Sequence, residues 1–373
     1  MDNSTKHHAI SRELATEILA GKYSQTGRLP SEIQLLKRFE VSRPTIGRAL
    51  RSLQEQGLVE RRAGSGTYVR LDHGGSAKSE VVSKQMGMII PSQPGILESI
   101  CGELARLARV NDFGLWSSVS GLHAADANMT VDEAEDLCTR FIEGGVSGVF
   151  FVPFEHRLHR EESNRRITER LSQAGIPVVL IDRDIGEFPT RSEFDIVGVD
   201  NFAGGYLLAQ HLIKLGARRL AYVTRPLTAS TVDARIAGAR IAMINNGLET
   251  PHPFVYAGDP ADTKFVRSFA QSRQLDGIMC TSDHVAAELL QSLNRLGVSV
   301  PNELRVVGFD NVRFASLLTV PLTTMEQPCR DIALTAFTAL RERMANSSLP
   351  PRNIIMTPRM IVRESCGAYL RQG

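Results

Sequence analysis

Two hydrophobic periods divide the chain. In the first 70 residues apolar side chains recur at helical spacing, Ile10, Leu14 and Ile18 in one stretch and Ile46, Ala49, Leu50 and Leu53 in another. From Met86 onward short apolar runs alternate with helical stretches; the runs are "MGMII", "FGLWSSV", "GVFFVP", "IPVVLID", "IVGVD", "RLAYVT", "DGIMC" and "LRVVGF". Such runs predict strands buried on both faces, and their alternation with helices predicts parallel sheets covered on either side. About 280 residues of this pattern predict two α/β lobes, because one sheet rarely takes so many crossovers. Between the two regimes Leu71 to Gln85 is polar, contains Gly and Ser and has no period, as a flexible tether would.

The head can be read residue by residue. Gly21 stands as a C-cap after the first amphipathic helix, and Ser31 with Gln34 stands in capping-box spacing at the start of a short second one. In "VSRPTIGRAL", Val41 to Leu50, Ser42 is an N-cap whose hydroxyl can accept the Thr45 N–H. Pro44 falls in the first turn, where a missing N–H is harmless, and Val41 and Ile46 occupy the staple positions. The apolar stripe of this third helix leaves Arg43, Gly47, Arg48 and Arg51 on the opposite face. A glycine there costs about 1 kcal/mol against alanine, which predicts a surface that something approaches closely. "LVERRAGSGTYVR" then reads as two short strands around Ala63 to Gly66.

Three helices followed by a hairpin make a winged helix-turn-helix. The third helix of such a domain enters the major groove of double-stranded DNA, and the hairpin reaches a neighbouring backbone or minor groove. Charge agrees with a polyanion partner for the head alone, since residues 1–70 carry a net +5 and the remainder −3. The segment "LPSEIQLLKRFEVSRPTIGRALRSLQEQGLVERRAGSGTYV" resembles the DNA-binding domain of the gluconate-repressor (GntR) family of bacterial regulators. The resemblance implies DNA contacts by Ser42, Arg43, Pro44 and Thr45 and a phosphate held by Lys6, and Arg48 is expected to take over a phosphate contact where the chain departs from relatives at Gly47. It places Arg62, Gly64, Ser65 and Gly66 on the wing. Ile33 and Gly47 stand where many relatives have arginine, so an operator sequence does not transfer from them.

In α/β folds of the body's kind ligands sit beyond the carboxyl ends of the strands. Polar residues follow those ends here: Ser92, Ser117, Asp182 to Asp184, Asp200-Asn201, Thr224-Arg225, Ser282-Asp283 and Asp310-Asn311. Carboxylates and guanidinium groups converging on one cleft suit a polyhydroxylated ligand, and Arg225 would suit an acidic or phosphorylated one. "VGVDNFAGGYLLAQHLIKLGARRLAYVT", "RIAGA", "DGIMCTSDHVAAELLQSLNRLGVSVPNELRVVGFDN", "PLTTMEQP" and "MIVRESC" resemble the effector domain of the lactose/galactose repressor (LacI/GalR) family, built like a periplasmic sugar-binding protein. That resemblance implies ligand contacts by Arg235 and Asp310, with Gln327 and Asp182 as partners. Ser92, Arg183 and Asp283 complete the expected set. Ser282 replaces an asparagine of relatives, and Pro260 stands where some carry a stacking aromatic.

The expected plan is therefore an α/β chain with three parts. Residues 1–70 form the winged head, 71–85 the linker and 86–373 a two-lobed effector and dimerisation domain with parallel sheets. Lobe 1 spans about 86–198 and 328–356, and lobe 2 about 199–327 and 357–367, with crossings near Val199, Gln327 and Thr357. The expected function is a DNA-binding regulator, a repressor responding to a small sugar and working as a homodimer on a pseudo-palindromic operator. A cytoplasmic location is expected from the polar start and the lack of any 18-residue apolar run. Five scattered cysteines are expected to be reduced core thiols, and neither a cofactor nor a metal is expected. An α/β enzyme or an exported solute-binding protein is the alternative. Against the first, the chain has no G-x-G-x-x-G, Walker loop, G-x-S-x-G or H-E-x-x-H, and His156 and His159 lie in a charged stretch. Against the second stands the DNA-binding head.

Overall fold

The computed structural model describes residues 7, 10–11, 13–15, 17–18, 22–23, 27–39, 41–55, 59–62, 66–69, 85–91, 95–117, 129–155, 160–186, 189–270 and 274–370. The chain divides into two compact units, 1–80 and 81–373. Gly21, Ala63 and most of the expected linker lie outside the described residues, as do His156 and His159.

In the first unit the described residues between His7 and Ile18 include helical ones. They are followed by α1 (Glu32–Phe39), α2 (Arg43–Glu55), and the antiparallel pair β1 (Val59–Arg62) and β2 (Gly66–Val69). Ile10, Leu14, Ile18, Leu35, Leu50, Leu53, Val59 and Val69 share one core, so the helical stripes read from the sequence face each other. The capping box forms, with the Ser31 N–H donating to Gln34 Oε1 at 2.8 Å. At the start of α2 the Thr45 N–H donates to the Ser42 carbonyl at 3.0 Å, and the two hydroxyls meet at 2.9 Å. Ser42 thus fixes this end through a different oxygen from the one expected, because the Thr45 hydroxyl engages its side chain. Residues 27–29 also join the hairpin, through Leu29 N–H to Thr67 O at 2.9 Å and Val69 N–H to Gly27 O at 3.0 Å. Arg38 bonds Glu13 at 2.7 Å and Glu17 at 2.6 Å, tying the first helical residues to α1.

The second unit holds two sheets. β3 (Gln85–Ile89), β4 (Gly114–Ser117), β5 (Gly148–Phe151), β6 (Val178–Ile181) and β7 (Asp195–Val199) form lobe 1. β8 (Leu220–Thr224), β9 (Val255–Ala257), β10 (Gly277–Cys280), β11 (Arg305–Asp310) and β12 (Thr323–Glu326) form lobe 2. Each sheet is then completed by one late strand: β13 (Asn353–Met356) joins lobe 1 beside β7, and β14 (Arg359–Ile361) joins lobe 2 beside β12. The orders are β13-β7-β6-β5-β3-β4 and β14-β12-β11-β10-β8-β9, parallel throughout except for the β12–β14 pair.

The helices α3 (Ile96–Val110), α4 (Val131–Glu143), α5 (Arg160–Gln173), α6 (Asn201–Lys214), α7 (Ser230–Asn245), α8 (Thr263–Ala270), α9 (Asp283–Arg295) and α10 (Cys329–Ala345) cover the sheets. All eight apolar runs form strands. The four strands that the pattern did not reveal are β9, β13 and β14, which alternate or are half exposed, and β12, whose buried positions include two threonines. The chain passes between lobes after Val199, around Gln327 and at Thr357-Pro358. Four of the five cysteines are buried, and all are free thiols. Among the described residues no helix is long and apolar enough to cross a membrane.

The late strand of lobe 1 is anchored by one buried carboxylate. Asp195, with no exposed surface, accepts from Arg343 at 2.8 and 3.0 Å, from Arg352 NH2 at 2.9 Å and from the Arg352 backbone N–H at 2.7 Å. Burial pushes its carboxyl up, but the hydrogen bonds from Arg343 and Arg352 outweigh that and hold it below its ordinary value. Asp195→Ala is expected to destabilise the body by about 3–5 kcal/mol, because it leaves Arg343 largely buried without its carboxylate. Denaturant unfolding measures this; a loss below about 1 kcal/mol would show that the clamp is not structural.

Candidate functional site

The exposed face of α2 is built as the sequence indicates. Ile46, Ala49, Leu50 and Leu53 are buried, while Ser42, Arg43, Pro44, Arg48 and Arg51 are exposed. At Gly47 no atom of the described residues outside its own helix backbone lies within 4 Å of where a Cβ would stand, so no described residue of the head requires a glycine there. Its cost is left for something outside the head to explain. The Arg43 side chain is 81% exposed and reaches Glu32 at 3.5 Å, a screened contact that a phosphate or base edge can replace. Thr45 departs from expectation: it is buried and holds Ser42, so it shapes the helix start rather than facing a polyanion. Gly66 has φ +124°, and a Cβ there would stand 2.7 Å from the Arg28 guanidinium. Arg28 itself lies over the Tyr68 ring, 5.5 Å from its centre, a wing feature that the sequence reading missed. Lys6, Gly64, Ser65 and Ser92 lie outside the described residues, as does the side chain of Arg62.

In the body the cleft between lobes is assembled at the crossings. Asp200 caps α6 by accepting the Ala203 N–H at 2.8 Å, which fixes Asn201 at the mouth of that helix. α6 and α7 then touch backbone to backbone: a Cβ on Gly205 would lie 1.9 Å from the Arg235 carbonyl, and one on Gly238 would lie 2.0 Å from the Phe202 carbonyl. Only that approach brings Arg235 within reach of its partners. Its Nε donates to Asn201 Oδ1 at 2.7 Å, its NH1 donates to the Thr281 carbonyl at 2.6 Å, and its guanidinium lies 3.6 Å from the centre of the Phe309 ring.

Asp310 ends β11 with φ +117°, and Asn311 follows at φ 53°. Each such residue costs about 1–3 kcal/mol, a strain that here turns a carboxylate into the cleft. Gln327 Nε2 donates to Asp310 Oδ1 at 2.8 Å, while Gln327 Oε1 is buried with no donor among the described residues. Burial pushes the Asp310 carboxyl up to about 7; Arg235 and the Gln327 hydrogen bond pull it down, and Asp182 and Glu155 push it further up. Asp310 and Gln327 line a cavity of ≈360 Å3 between Gly95, Ile96, Glu98 and Ser99 of lobe 1 and His284 and Val312 to Phe314 of lobe 2.

Asp182 and Arg183 lie on the other flank of the crossing, beside Asn201 and Ser230. Arg183 pairs with Asp182 at 2.8 Å and with Glu155 at 2.6 Å, and all three side chains are largely buried. Glu155 and Asn201 were not chosen as site residues from the sequence; Asn201 was noted after a strand end, whereas Glu155 stands four residues beyond the end of β5. Asp283 corrects the expected set. It has no exposed surface, accepts the Thr324 hydroxyl at 2.6 Å and the Val312 N–H at 2.9 Å, and so supports the 310–312 turn from beneath. Arg225 is bonded to Glu288 at 2.6 Å. Trp116 packs against Phe141 and Tyr256 against Phe269, so neither serves as a platform in the cleft.

A winged-helix unit joined to a two-lobed α/β unit with a polar cleft defines a DNA-binding transcription regulator. Residues 6–69 match the model of the gntR family of bacterial regulatory proteins, and residues 209–366 match that of the periplasmic binding protein-like domain. The chain is accordingly a regulator with a GntR head and a periplasmic-binding-protein-like body. It is 27% identical over 369 residues to the arabinose metabolism transcriptional repressor of Geobacillus stearothermophilus, covering 96% of this chain and 97% of that protein. It is 32% identical over 195 residues to the repressor PurR of Escherichia coli, covering 51% of this chain and 56% of that one. The fold is shared with the regulator CelR in its cellobiose complex (TM-score 0.64, 22% identity, covering 87% of this chain and 91% of that one). It is also shared with CcpA of Lactococcus lactis (TM-score 0.62, 20% identity, 75% and 98%).

Asp283 makes the body's stability depend on pH. Burial, with the charge of Asp310, pushes its carboxyl up to about 8 from 3.8. A raised folded-state value means that its stabilising contribution is complete below the unfolded value and is lost as pH rises through about 8. Asp283→Asn can still accept from Val312 and can donate to Thr324. Its melting temperature is therefore expected to fall less than that of the wild type between about pH 5 and 8. Parallel pH profiles in thermal melts would refute this.

Proposed function

We propose that the protein is a repressor of carbohydrate-utilisation genes whose operator affinity is set by a small sugar bound between the lobes. It acts in the cytoplasm as a homodimer joined through its bodies, with the two heads on the halves of a pseudo-palindromic operator. Arg43 reads a base edge, Ser42 and Arg48 hold phosphates, and the low surface at Gly47 lets the helix sit close to the groove. In the cleft, Asp310 and Gln327 accept ligand hydroxyls, while Arg235 is held ready by Asn201, Thr281 and Phe309.

The observation that carries this reading is the buried Gln327 Oε1, without a donor among the described residues, beside the Asp310 carboxyl in a cavity of ≈360 Å3, on a chain that also bears a DNA-reading head. A buried acceptor without a donor is costly, and a polyol supplies donors. Likeness over nearly the full length to an arabinose metabolism repressor supports a pentose, with arabinose the first sugar to test. Ligand contacts to both lobes favour the closed cleft, and closure changes the spacing of the heads. The coupling expected is about 1–3 kcal/mol, and it is reciprocal.

Two measurements test this. Arg43→Ala should weaken binding to a duplex selected by the full chain by about 1–3 kcal/mol and relax the footprint without changing the melting temperature. An unchanged footprint would reject the docking. Asp310→Ala should retain DNA binding but lose its response to the sugar, whereas in the wild type titration calorimetry should give different sugar affinities with and without the duplex. Equal affinities would remove the coupling.

A further inference from the structure

The cleft discriminates by charge, and the residue that sets this lies outside the expected site. Glu155 follows β5 through Val152 to Phe154, and its carboxylate reaches Arg183 NH1 at 2.6 Å. With Asp182 on the other side, at 2.8 Å from NH2 and 2.9 Å from Nε, the Arg183 guanidinium is enclosed by two carboxylates and is buried. It lines the smaller cavity on the Asp182 flank, beside Asn201 and Ser230, and its charge is already more than balanced.

Arg235 is similarly committed, whereas Arg191 is half exposed. Arg235 donates to Asn201 and to the Thr281 carbonyl and lies on Phe309. Arg191 stands 4.0 Å from Asp184, and Arg225 is bonded to Glu288. Around the cavity of ≈360 Å3 stand the carboxyl groups of Glu98, Asp310 and Glu326, of which Glu326 is paired with Arg359 at 2.7 Å, and the guanidinium of Arg313 is exposed on the rim. His284 there is held below its ordinary value by burial. Asp310 accepts from Gln327 Nε2, and Gln327 Oε1 has no donor among the described residues. A carboxylate or phosphate brings more acceptors and a like charge, which costs affinity twice.

We propose that Glu155 is a specificity-determining residue, which by occupying Arg183 restricts the cleft to uncharged polyhydroxylated ligands and excludes sugar acids and sugar phosphates. This rests on the reading of the cleft as a sugar site. Glu155 acts through Arg183 and is therefore a positioning residue, and its signature is selectivity rather than affinity alone. Glu155→Gln keeps an acceptor for Arg183 while removing one negative charge.

The test is titration calorimetry of the full chain and of Glu155→Gln with a panel of neutral pentoses and hexoses, each paired with its aldonate and its terminal phosphate. The wild type is expected to bind one neutral sugar and to bind its aldonate and phosphate at least about tenfold more weakly. In Glu155→Gln that ratio should shrink by about tenfold, with a melting temperature confirming that the variant is folded. A wild type that binds the aldonate or phosphate as tightly as the neutral sugar would overturn the charge filter while leaving the sugar site standing. An unchanged ratio in a folded Glu155→Gln would overturn the role of Glu155. Silence from the whole panel would overturn the sugar reading, and the inference with it.

Discussion

The body depends on a constraint at its third crossing: β13 and β14 are separated by only Thr357 and Pro358, yet they belong to different sheets. With the crossings after Val199 and around Gln327, this joins the lobes by short, extended segments that cannot lengthen. The lobes can therefore rotate about the crossings but not slide apart, which is the geometry of a hinge. The polar groups of the cleft sit on or beside these crossings. Asn201 follows the first, Gln327 forms the second, and Asp310 is held by Gln327. A movement of one lobe must therefore change the distances among them.

Packing around the hinge is correspondingly unforgiving. The α6–α7 contact leaves no room for a Cβ at Gly205 or Gly238, and through it Arg235 meets Asn201 and Phe309. Asp310 and Asn311 occupy backbone conformations that L-residues rarely adopt. Asp283 beneath them is a buried carboxyl group held by a hydroxyl and an N–H. These features all work against stability, and they are gathered around one turn. The large cores of the two lobes, formed by strands such as β5, β6 and β7 that are buried at every position, offset them.

The head follows the opposite logic. Its core is small, its helices are locally capped, and the costly residue, Gly47, lies on the surface with empty space above it. A glycine kept where alanine would fit and stabilise the helix is explained by an external surface rather than by an internal contact. That face also carries Arg43, Arg48 and Arg51.

The sequence by itself determined the elements whose signal is local or periodic. The stripe on α2, the Ser31–Gln34 capping box and the eight apolar strands could be read because burial on one face or on both leaves a regular trace. Asp310 and Arg235 were legible through the motifs around them. Tertiary structure alone decided which polar side chains turn toward the cleft. Asp283 and Asp310 both follow a strand, and one is sealed under a turn while the other faces a cavity. Thr45 is buried although Arg43 and Pro44 before it are exposed. The late edge strands were invisible because an edge is half solvated and its pairing partner lies more than 150 residues away for β13 and about 35 for β14. Of the Glu155–Arg183–Asp182 cluster, Asp182 and Arg183 were expected in the site and Glu155 was not. The charge balance of a site is a sum over groups brought together by different strands, and no local pattern records that sum.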